Sequence, residues 1–163
     1  MADILGALSL TTDLGSGLPF EKGLRTCALA SAFAEALDLG LVDRRAVFHA
    51  SLLRAIGCTA HAPENAAMFA DDVMFQRALK VLDPGHPETF AARFGDWAGV
   101  RQPALLALVV AKTPTVGVYA ARSGCEVSQA LGRRLGISAS AILALDQVYE
   151  RWDGYGIPDG LTG

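Results

Sequence analysis

Apolar residues recur at spacings of three and four along most of this 163-residue chain, and that spacing is the repeat of an α-helix. The segment at about 20–39 is typical, with Leu24, Cys27 and Ala34 on one side of the predicted helix. Hydrophobic residues make up 52% of the chain but aromatic residues only 7%, so alanine and leucine carry most of the apolar content. Such a composition favours packed helices over sheets, because strands draw on β-branched and aromatic residues. The sequence therefore predicts an all-α protein.

Glycine and proline residues divide this pattern into about seven or eight helices. Gly40 is predicted to end the second helix, Asp43 to cap the third, and Ser138 or Ser140 to start the last. No internal repeat is present, and we predict one domain. The predicted helices cover about 2–14, 20–39, 43–56, 65–82, 88–97, 103–121, a segment ending at Gly136, and a last segment that reaches Trp152.

Charge and patterning exclude several classes of protein. A net charge of −3 argues against a nucleic-acid-binding surface. The most apolar run, at 103–111, is too short for a transmembrane helix, and the N-terminus lacks the basic start of a signal peptide. Three widely spaced cysteines do not indicate a disulfide framework. We therefore expect a cytoplasmic protein whose present segment binds neither nucleic acid nor membranes.

The stretch DQVYERWDGYGIPDGLTG, at 146–163, joins the end of a predicted helix to a dense turn. It resembles the signature of the HD-GYP family, whose members are all-helical, metal-dependent hydrolases of cyclic di-GMP. Ile157 stands where the family has its tyrosine. The matching residues are Glu150, Arg151, Trp152, Asp153, Gly154, Gly156, Pro158, Asp159, Gly160 and Leu161. The resemblance implies one HD-like helical bundle over residues 1–163.

The same resemblance implies that the metal ligands of the family are replaced in this chain. The family motif Leu-Leu-His-Asp-Ile-Gly-Lys corresponds to LLRAIGC, so Arg54 and Ala55 stand at the His and Asp positions. The other replaced histidine positions are Lys22, Cys125, Val148 and Tyr149. Lysine and arginine repel divalent cations, while alanine and valine offer no ligand atom. The resemblance therefore implies a degenerate domain without catalytic residues, metal or other cofactor.

Other chemistry is left open by the residues themselves. A metal site rebuilt from other side chains is one alternative, since Cys58 and His61 have a Cys-X-X-His spacing. Its candidate ligands are Cys58, His61, Asp71, Asp72 and Cys125. Cys125 is either a nucleophile activated at a helix start or, as we favour, a buried inert thiol. Lys22 and Arg54 either hold a small anionic ligand or form salt bridges.

These observations lead to an expected function. The phrases LSLTTDLG, LLRAIGCTAHA and VYERWDGYGIPDGL resemble a bacterial branch in which an HD-like domain precedes a LuxR-type helix-turn-helix. HD-GYP domains continue past the turn, so we expect the chain to be the N-terminal part of a longer protein with a C-terminal output domain. The expected role is a non-catalytic regulatory or sensor domain that acts by dimerisation or by binding a small ligand. The alternative is a metal-dependent phosphohydrolase acting on cyclic di-GMP or a nucleotide.

Two further expectations concern packing. A chain this apolar is expected to leave uncovered surface that a homodimer buries. The helical spacing also places Leu145, Val148, Tyr149 and Trp152 on one face of the last helix, and we predict that this face is core.

Overall fold

The computed structural model describes residues 1–69, 73, 76–77 and 103–162. Within these residues there are six α-helices and one short 3₁₀ helix, and the prediction of an all-α protein is confirmed. The elements in chain order are α1 (Ala2–Gly15), α2 (Lys22–Ala36), α3 (Leu41–Leu53), a 3₁₀ helix (Ile56–Thr59), α4 (Ala62–Phe69), α5 (Pro103–Arg134) and α6 (Ala139–Asp146). The predicted helix at 88–97, and most of the one at 65–82, lie outside the described residues.

The contacts divide the chain into two compact units. The first unit is Met1–Ala60 with Arg122–Val148, and the second is His61–Ala121 with Tyr149–Gly163. The prediction of a single HD-like domain stays a prediction.

The core of the first unit is built from one face each of α1, α2, α3 and α6. Leu5, Leu53 and Leu145 are fully buried in it. Burying side chains of this size stabilises the fold by about 1.5–3 kcal/mol each. The remaining members of the cluster are Cys27, Ala46, Leu52, Ile137 and Ala141. Apolar packing therefore holds this unit, as the helical spacing predicts.

The start of α2 is capped by a side chain from α1. Glu21, which precedes the helix, has a left-handed backbone (φ 64°) and makes no side-chain cap. Instead the carboxylate of Asp13, which is 1% exposed, accepts a hydrogen bond from the amide of Gly23 at 2.9 Å. A Cβ at Gly23 would overlap the Ser9 hydroxyl, so α1 and α2 approach closely here. A buried acceptor at a helix N-terminus satisfies one of its free amides.

Two predicted helix boundaries near residue 40 are wrong. The second helix ends at Ala36 with Leu37 as its C-cap, so Gly40 does not cap it. Gly40 instead precedes α3, and Asp43 lies in the first turn of α3 rather than at its N-cap. The chain turns at Asp38, whose φ of 52° is in the left-handed region that Asp and Asn enter more readily than most residues.

The predicted break between a helix at 103–121 and the next one is also absent, because α5 runs without interruption to Arg134. Gly124 lies inside it and is buried. A Cβ added to Gly57 would lie 2.6 Å from the Cα of Gly124, so the 3₁₀ helix touches the backbone of α5 at this glycine. Gly124 thus allows the two elements to pack closely. None of the helices in the described ranges has both the length and the sustained apolar character needed to cross a membrane.

The last helix starts as predicted and ends early. The Ser138 hydroxyl accepts a hydrogen bond from the amide of Ala141 at 3.3 Å and caps α6. The helix ends at Asp146, and residues 147–149 form a turn. Val148, Tyr149 and Trp152 are therefore not on a helix, and the prediction that they share a helical core face with Leu145 is wrong.

Candidate functional site

The segment LLRAIGC, which resembles the family's metal-binding motif, forms the junction between α3 and the 3₁₀ helix. Arg54 is the C-cap of α3 and is half-buried, while Ala55 is 8% exposed. The Nε atom of Arg54 is buried, and it has no hydrogen-bond partner within the described part of the chain. This position therefore presents a guanidinium and a methyl group, neither of which is a metal ligand.

The segment that carries Cys125 meets this junction. Gly124 contacts Gly57 backbone to backbone, and Cys58 and Cys125 are the residues that directly follow these two glycines. Cys125 is 2% exposed and lies well inside α5, so the prediction that it sits near a helix start is wrong. Without a helix N-terminus beside it, the dipole argument for an activated thiolate no longer applies. Lys22, the other cation that the resemblance aligns with a ligand position, is half-buried at the first position of α2.

The candidates for a rebuilt metal site are only partly described. Asp71 and Asp72 lie outside the described residues. Cys58 and Cys125 belong to the first unit and His61 to the second. In the second unit, Nδ1 of His61 lies 3.9 Å from the Glu64 carboxylate and its ring contacts Tyr119 at 5.3 Å between centroids. Across residues 1–69, 73, 76–77 and 103–162, no three His, Cys, Asp or Glu side chains gather as a metal site requires.

Val148 and Tyr149, which the resemblance aligns with the paired histidines, lie in the turn after α6 and are both half-buried. The carbonyl of Tyr149 accepts a hydrogen bond from the amide of Ile157 at 3.2 Å. This bond closes the loop that contains the rest of the motif. We call residues Tyr149–Thr162 the closing loop.

Glu150 holds the two sides of the closing loop together. Its Oε1 accepts a hydrogen bond from the amide of Asp159 at 2.9 Å, and its Oε2 accepts one from the amide of Leu161 at 2.8 Å. Charge-assisted bonds of this kind are stronger than neutral ones. Both oxygens of the motif carboxylate are therefore occupied by the backbone of its own loop.

Arg151 and Asp153 form a second brace within the loop. The guanidinium donates from Nε to Oδ1 at 3.1 Å and from Nη2 to Oδ2 at 2.6 Å. The same Oδ1 accepts a bond from the amide of Tyr155 at 3.0 Å, as in an Asx-turn. The hydrogen bond from Arg151, followed by that from the Tyr155 amide, holds the pKa of Asp153 below its usual value.

The glycines of the motif are required by the geometry of this loop. A Cβ at Gly156 would lie 2.5 Å from the Cα of Glu150, a distance that real side chains do not reach. Gly154 and Gly160 have φ of 77° and 64°, which glycine adopts without strain. An isolated bridge between Asp153 and Thr162 joins the two ends of the turn. Most of the residues that resemble the family signature thus have a structural reason to be present.

Two aromatic side chains of the closing loop, those of Trp152 and Tyr155, point outward. Trp152 is 85% exposed and Tyr155 is 73% exposed. The prediction that Trp152 fills the core is wrong, because the chain has left the helix before it and the loop is held by hydrogen bonds instead. These two rings are large apolar surfaces of the loop that are available for contact with another molecule.

Two features of the first unit were not singled out from the sequence. An open groove of about 520 Å³ is lined by residues of α1, α2 and α3, including Phe48 and His49. Burial, and to a lesser extent the charge of Arg45, lower the pKa of His49.

The second feature is a row of exposed apolar residues along α2, formed by Leu29, Phe33 and Leu37. Their spacing of four is visible in the sequence. However, α2 also has a second apolar face, with Cys27 and Ala34, and that face is the one that packs into the core.

Comparison of this chain with protein-family models, with curated proteins and with solved structures finds no match in any of the three.

Proposed function

We propose that this chain is a non-catalytic regulatory domain related to HD-GYP proteins, acting in a bacterial signalling or transcription-regulatory protein in the cytoplasm. In this role it works by dimerisation or by binding a small ligand, and it passes that state to an output domain such as a helix-turn-helix outside this chain. The observation that carries the proposal is the contrast between the replaced ligand positions and the intact closing loop.

The replaced positions support a loss of chemistry. Arg54 and Ala55 occupy an ordered junction between α3 and the 3₁₀ helix, and that junction contacts α5 beside Cys125. The two segments that resemble metal-binding motifs therefore meet, while the residues they contribute are a guanidinium, a methyl group and a thiol. A guanidinium near a divalent cation is unfavourable because the two charges repel each other.

The intact closing loop supports the second half of this contrast, in which the motif has kept a structural role. The carboxylate of Glu150 binds backbone amides of the loop. The side chains of Arg151 and Asp153 bind each other, and Asp153 also accepts a bond from a loop amide. A chain that had lost catalysis but kept the fold would retain these interactions. The buried Nε of Arg54, which has no hydrogen-bond partner within the described residues, supports a small anionic ligand as one signal for such a domain.

The test is a hydrolysis assay on the full chain. The purified protein is loaded with Mn²⁺ or Fe²⁺, its metal content is measured, and it is incubated with cyclic di-GMP. We expect no product above that of a protein-free control and no stoichiometric metal. The double variant Arg54→His with Ala55→Asp should also gain no turnover. The other four aligned positions would still lack the histidines that complete a shared metal site, because they carry Lys22, Cys125, Val148 and Tyr149.

Turnover by the unmodified chain would contradict the proposal. If that activity also disappeared in Cys58→Ala or Asp72→Asn, it would favour the alternative of a metal-dependent phosphohydrolase with a rebuilt site. Activity that appeared only in the Arg54→His, Ala55→Asp variant would show that the original site is still assembled.

A further inference from the structure

The open groove between α1, α2 and α3 has the size of a small-molecule site. Its volume of about 520 Å³ lies inside the range that is typical of such sites. Its lining residues all belong to the first unit. Arg54 is not among them, so the groove is separate from the junction that resembles a metal-binding motif.

One positive charge of the groove is not balanced by the described part of the protein. The guanidinium of Arg44 lies 3.8 Å from the carboxylate of Glu35 and 3.5 Å from that of Asp38, so its charge is already compensated. Arg45, the next residue, lines the same groove, is exposed, and forms no ion pair within the described residues. Such an arginine is suited to a carboxylate, because a guanidinium can donate two parallel hydrogen bonds to it.

The polar neighbour of Arg45 in the groove is His49, whose ring is neutral near pH 7. Burial, followed by the charge of Arg45, lowers the pKa of this ring. Its Nδ1 atom is buried and has no hydrogen-bond partner among the described residues. His49 therefore adds no charge of its own, and the single unbalanced guanidinium matches a ligand with one negative charge better than a phosphate with nearly two.

An apolar surface lies beside this charge. Leu41 lines the groove and is 84% exposed. Phe48 also lines it, and its ring meets the ring of His49 edge to face, with the centroids 5.7 Å apart. Phe48 is at the same time packed against the core of the first unit, which fixes its position. A flat apolar group can pack against a side chain that is already ordered at little entropic cost.

We propose that this groove binds a small organic carboxylate with a flat apolar body. The carboxylate pairs with Arg45, and the apolar body packs against Phe48 and Leu41. The proposal rests on the proposed function in one respect, since it gives the small ligand of the regulatory domain a place and a chemical class. It is independent of the proposed absence of hydrolysis.

An NMR titration of the nitrogen-15-labelled full chain at about pH 7 tests the proposal, with phenylacetate as the probe. We expect the shifted amides to be those of the groove, with a Kd on the order of 1–10 mM, as for other ligands of this size. Phenylacetamide has the same shape without the charge, and acetate has the charge without the ring. Each should bind at least about tenfold more weakly than phenylacetate.

Two variants separate the charge of the groove from its apolar surface. Arg45→Gln should weaken phenylacetate binding about tenfold, while circular dichroism and the melting temperature stay close to those of the original. The matched control is Arg25→Gln, at an exposed arginine of α2 that does not line the groove, and it should leave binding unchanged. Leu41→Ala, at an exposed position, should weaken binding by about two- to fivefold.

The ring of His49 gives a second readout. An anion beside it favours the protonated form, so phenylacetate at tenfold its Kd should raise the pKa of His49, whereas phenylacetamide should not. The charged side chains around it in the groove are Arg45 and the paired Arg44 and Glu35. Arg45→Gln should raise the pKa of His49 even without a ligand, because a neighbouring cation is removed.

Several results would overturn the proposal. These are no binding of phenylacetate at 20 mM, equal binding of phenylacetamide, shifts centred outside the groove, unchanged affinity in Arg45→Gln, or a His49 pKa that does not respond to phenylacetate. None of these results bears on the hydrolysis assay.

Discussion

In the helical unit formed by residues 1–60 and 122–148, order comes from apolar side chains such as Leu53 and Leu145, which are fully removed from water. In the closing loop, order comes from polar side chains that bind backbone amides, and from glycines that let the chain approach itself. The first kind of order tolerates exchange among apolar residues of similar size. The second depends on particular residues at fixed positions. The residues of this short motif are therefore required by the structure of the loop itself.

The largest expected effect separates a buried from an exposed residue on the same short helix. Leu145→Ala in α6 should lower the free energy of unfolding by about 2–5 kcal/mol, because it leaves a cavity in the core. Leu143→Ala, two residues away and 59% exposed, should change it by less than about 0.5 kcal/mol. Chemical denaturation of both variants measures the difference. Equal costs would mean that apolar burial does not hold this unit.

In the closing loop the comparable change is Gly156→Ala. The added Cβ would lie 2.5 Å from the Cα of Glu150, so the loop must open or shift, at a cost of about 1–3 kcal/mol. We expect amide protection to fall in the loop while α6 keeps its own. Gly40→Ala is the control, because nothing lies within 4 Å of the added Cβ there. Unchanged protection of the loop in Gly156→Ala would contradict the geometry described for it.

The brace between Arg151 and Asp153 should be visible in a titration. The pKa of Asp153 is lowered in the folded chain, so its contribution to stability is present above the usual pKa and is lost as the pH falls through the lowered value. The relevant window is therefore acidic, below about pH 4. Arg151→Gln should raise the pKa of Asp153 towards its usual value in a carbon-detected NMR titration. No change would mean that the brace does not form in solution.

The smallest effect is expected for the residue that most resembles a core aromatic in sequence. Trp152→Ala should change the free energy of unfolding of the isolated chain by less than about 0.5 kcal/mol, because Trp152 is 85% exposed. Thermal melting at low protein concentration measures it. A loss of several kcal/mol would show that Trp152 is buried after all.

The helices of the first unit were predictable because each shows its period in the sequence. The bounds of α1 and the Ser138 cap of α6 follow from local signals, namely a break at Gly15–Gly17 and a serine before an apolar run. The continuity of α5 through Gly124 was not predictable, because a glycine is a local break signal and its contact with Gly57 lies about seventy residues earlier in the chain. Local rules do not contain such contacts.

In the closing loop, the sequence was a better guide to which residues matter than to their conformation. Its residues were identified from the sequence as a resemblance, but its conformation was wrongly extended from the preceding helix. Tyr149 and Trp152 continue the helical spacing, yet the carboxylate of Glu150 takes the amides of Asp159 and Leu161 and draws the chain into a turn. Periodicity alone cannot reveal a competing acceptor of this kind. The exposed row of Leu29, Phe33 and Leu37 along α2 was missed for a related reason, since the spacing of a helix does not show which of two apolar faces is covered.

The central claim is that the motif holds the closing loop by its own side chains. The most direct measurement is hydrogen exchange of the Asp159 and Leu161 amides, followed by NMR in the original chain and in Glu150→Gln at one pH. Glutamine has an NH2 donor in place of one of the two carboxylate oxygens, so one of the two amides then faces a donor instead of an acceptor. We predict that both amides are protected in the original chain and that one loses protection in the variant by roughly ten- to a hundredfold, while the amides of α3 and α6 are unaffected. Two amides that exchange equally fast in both proteins would contradict the account.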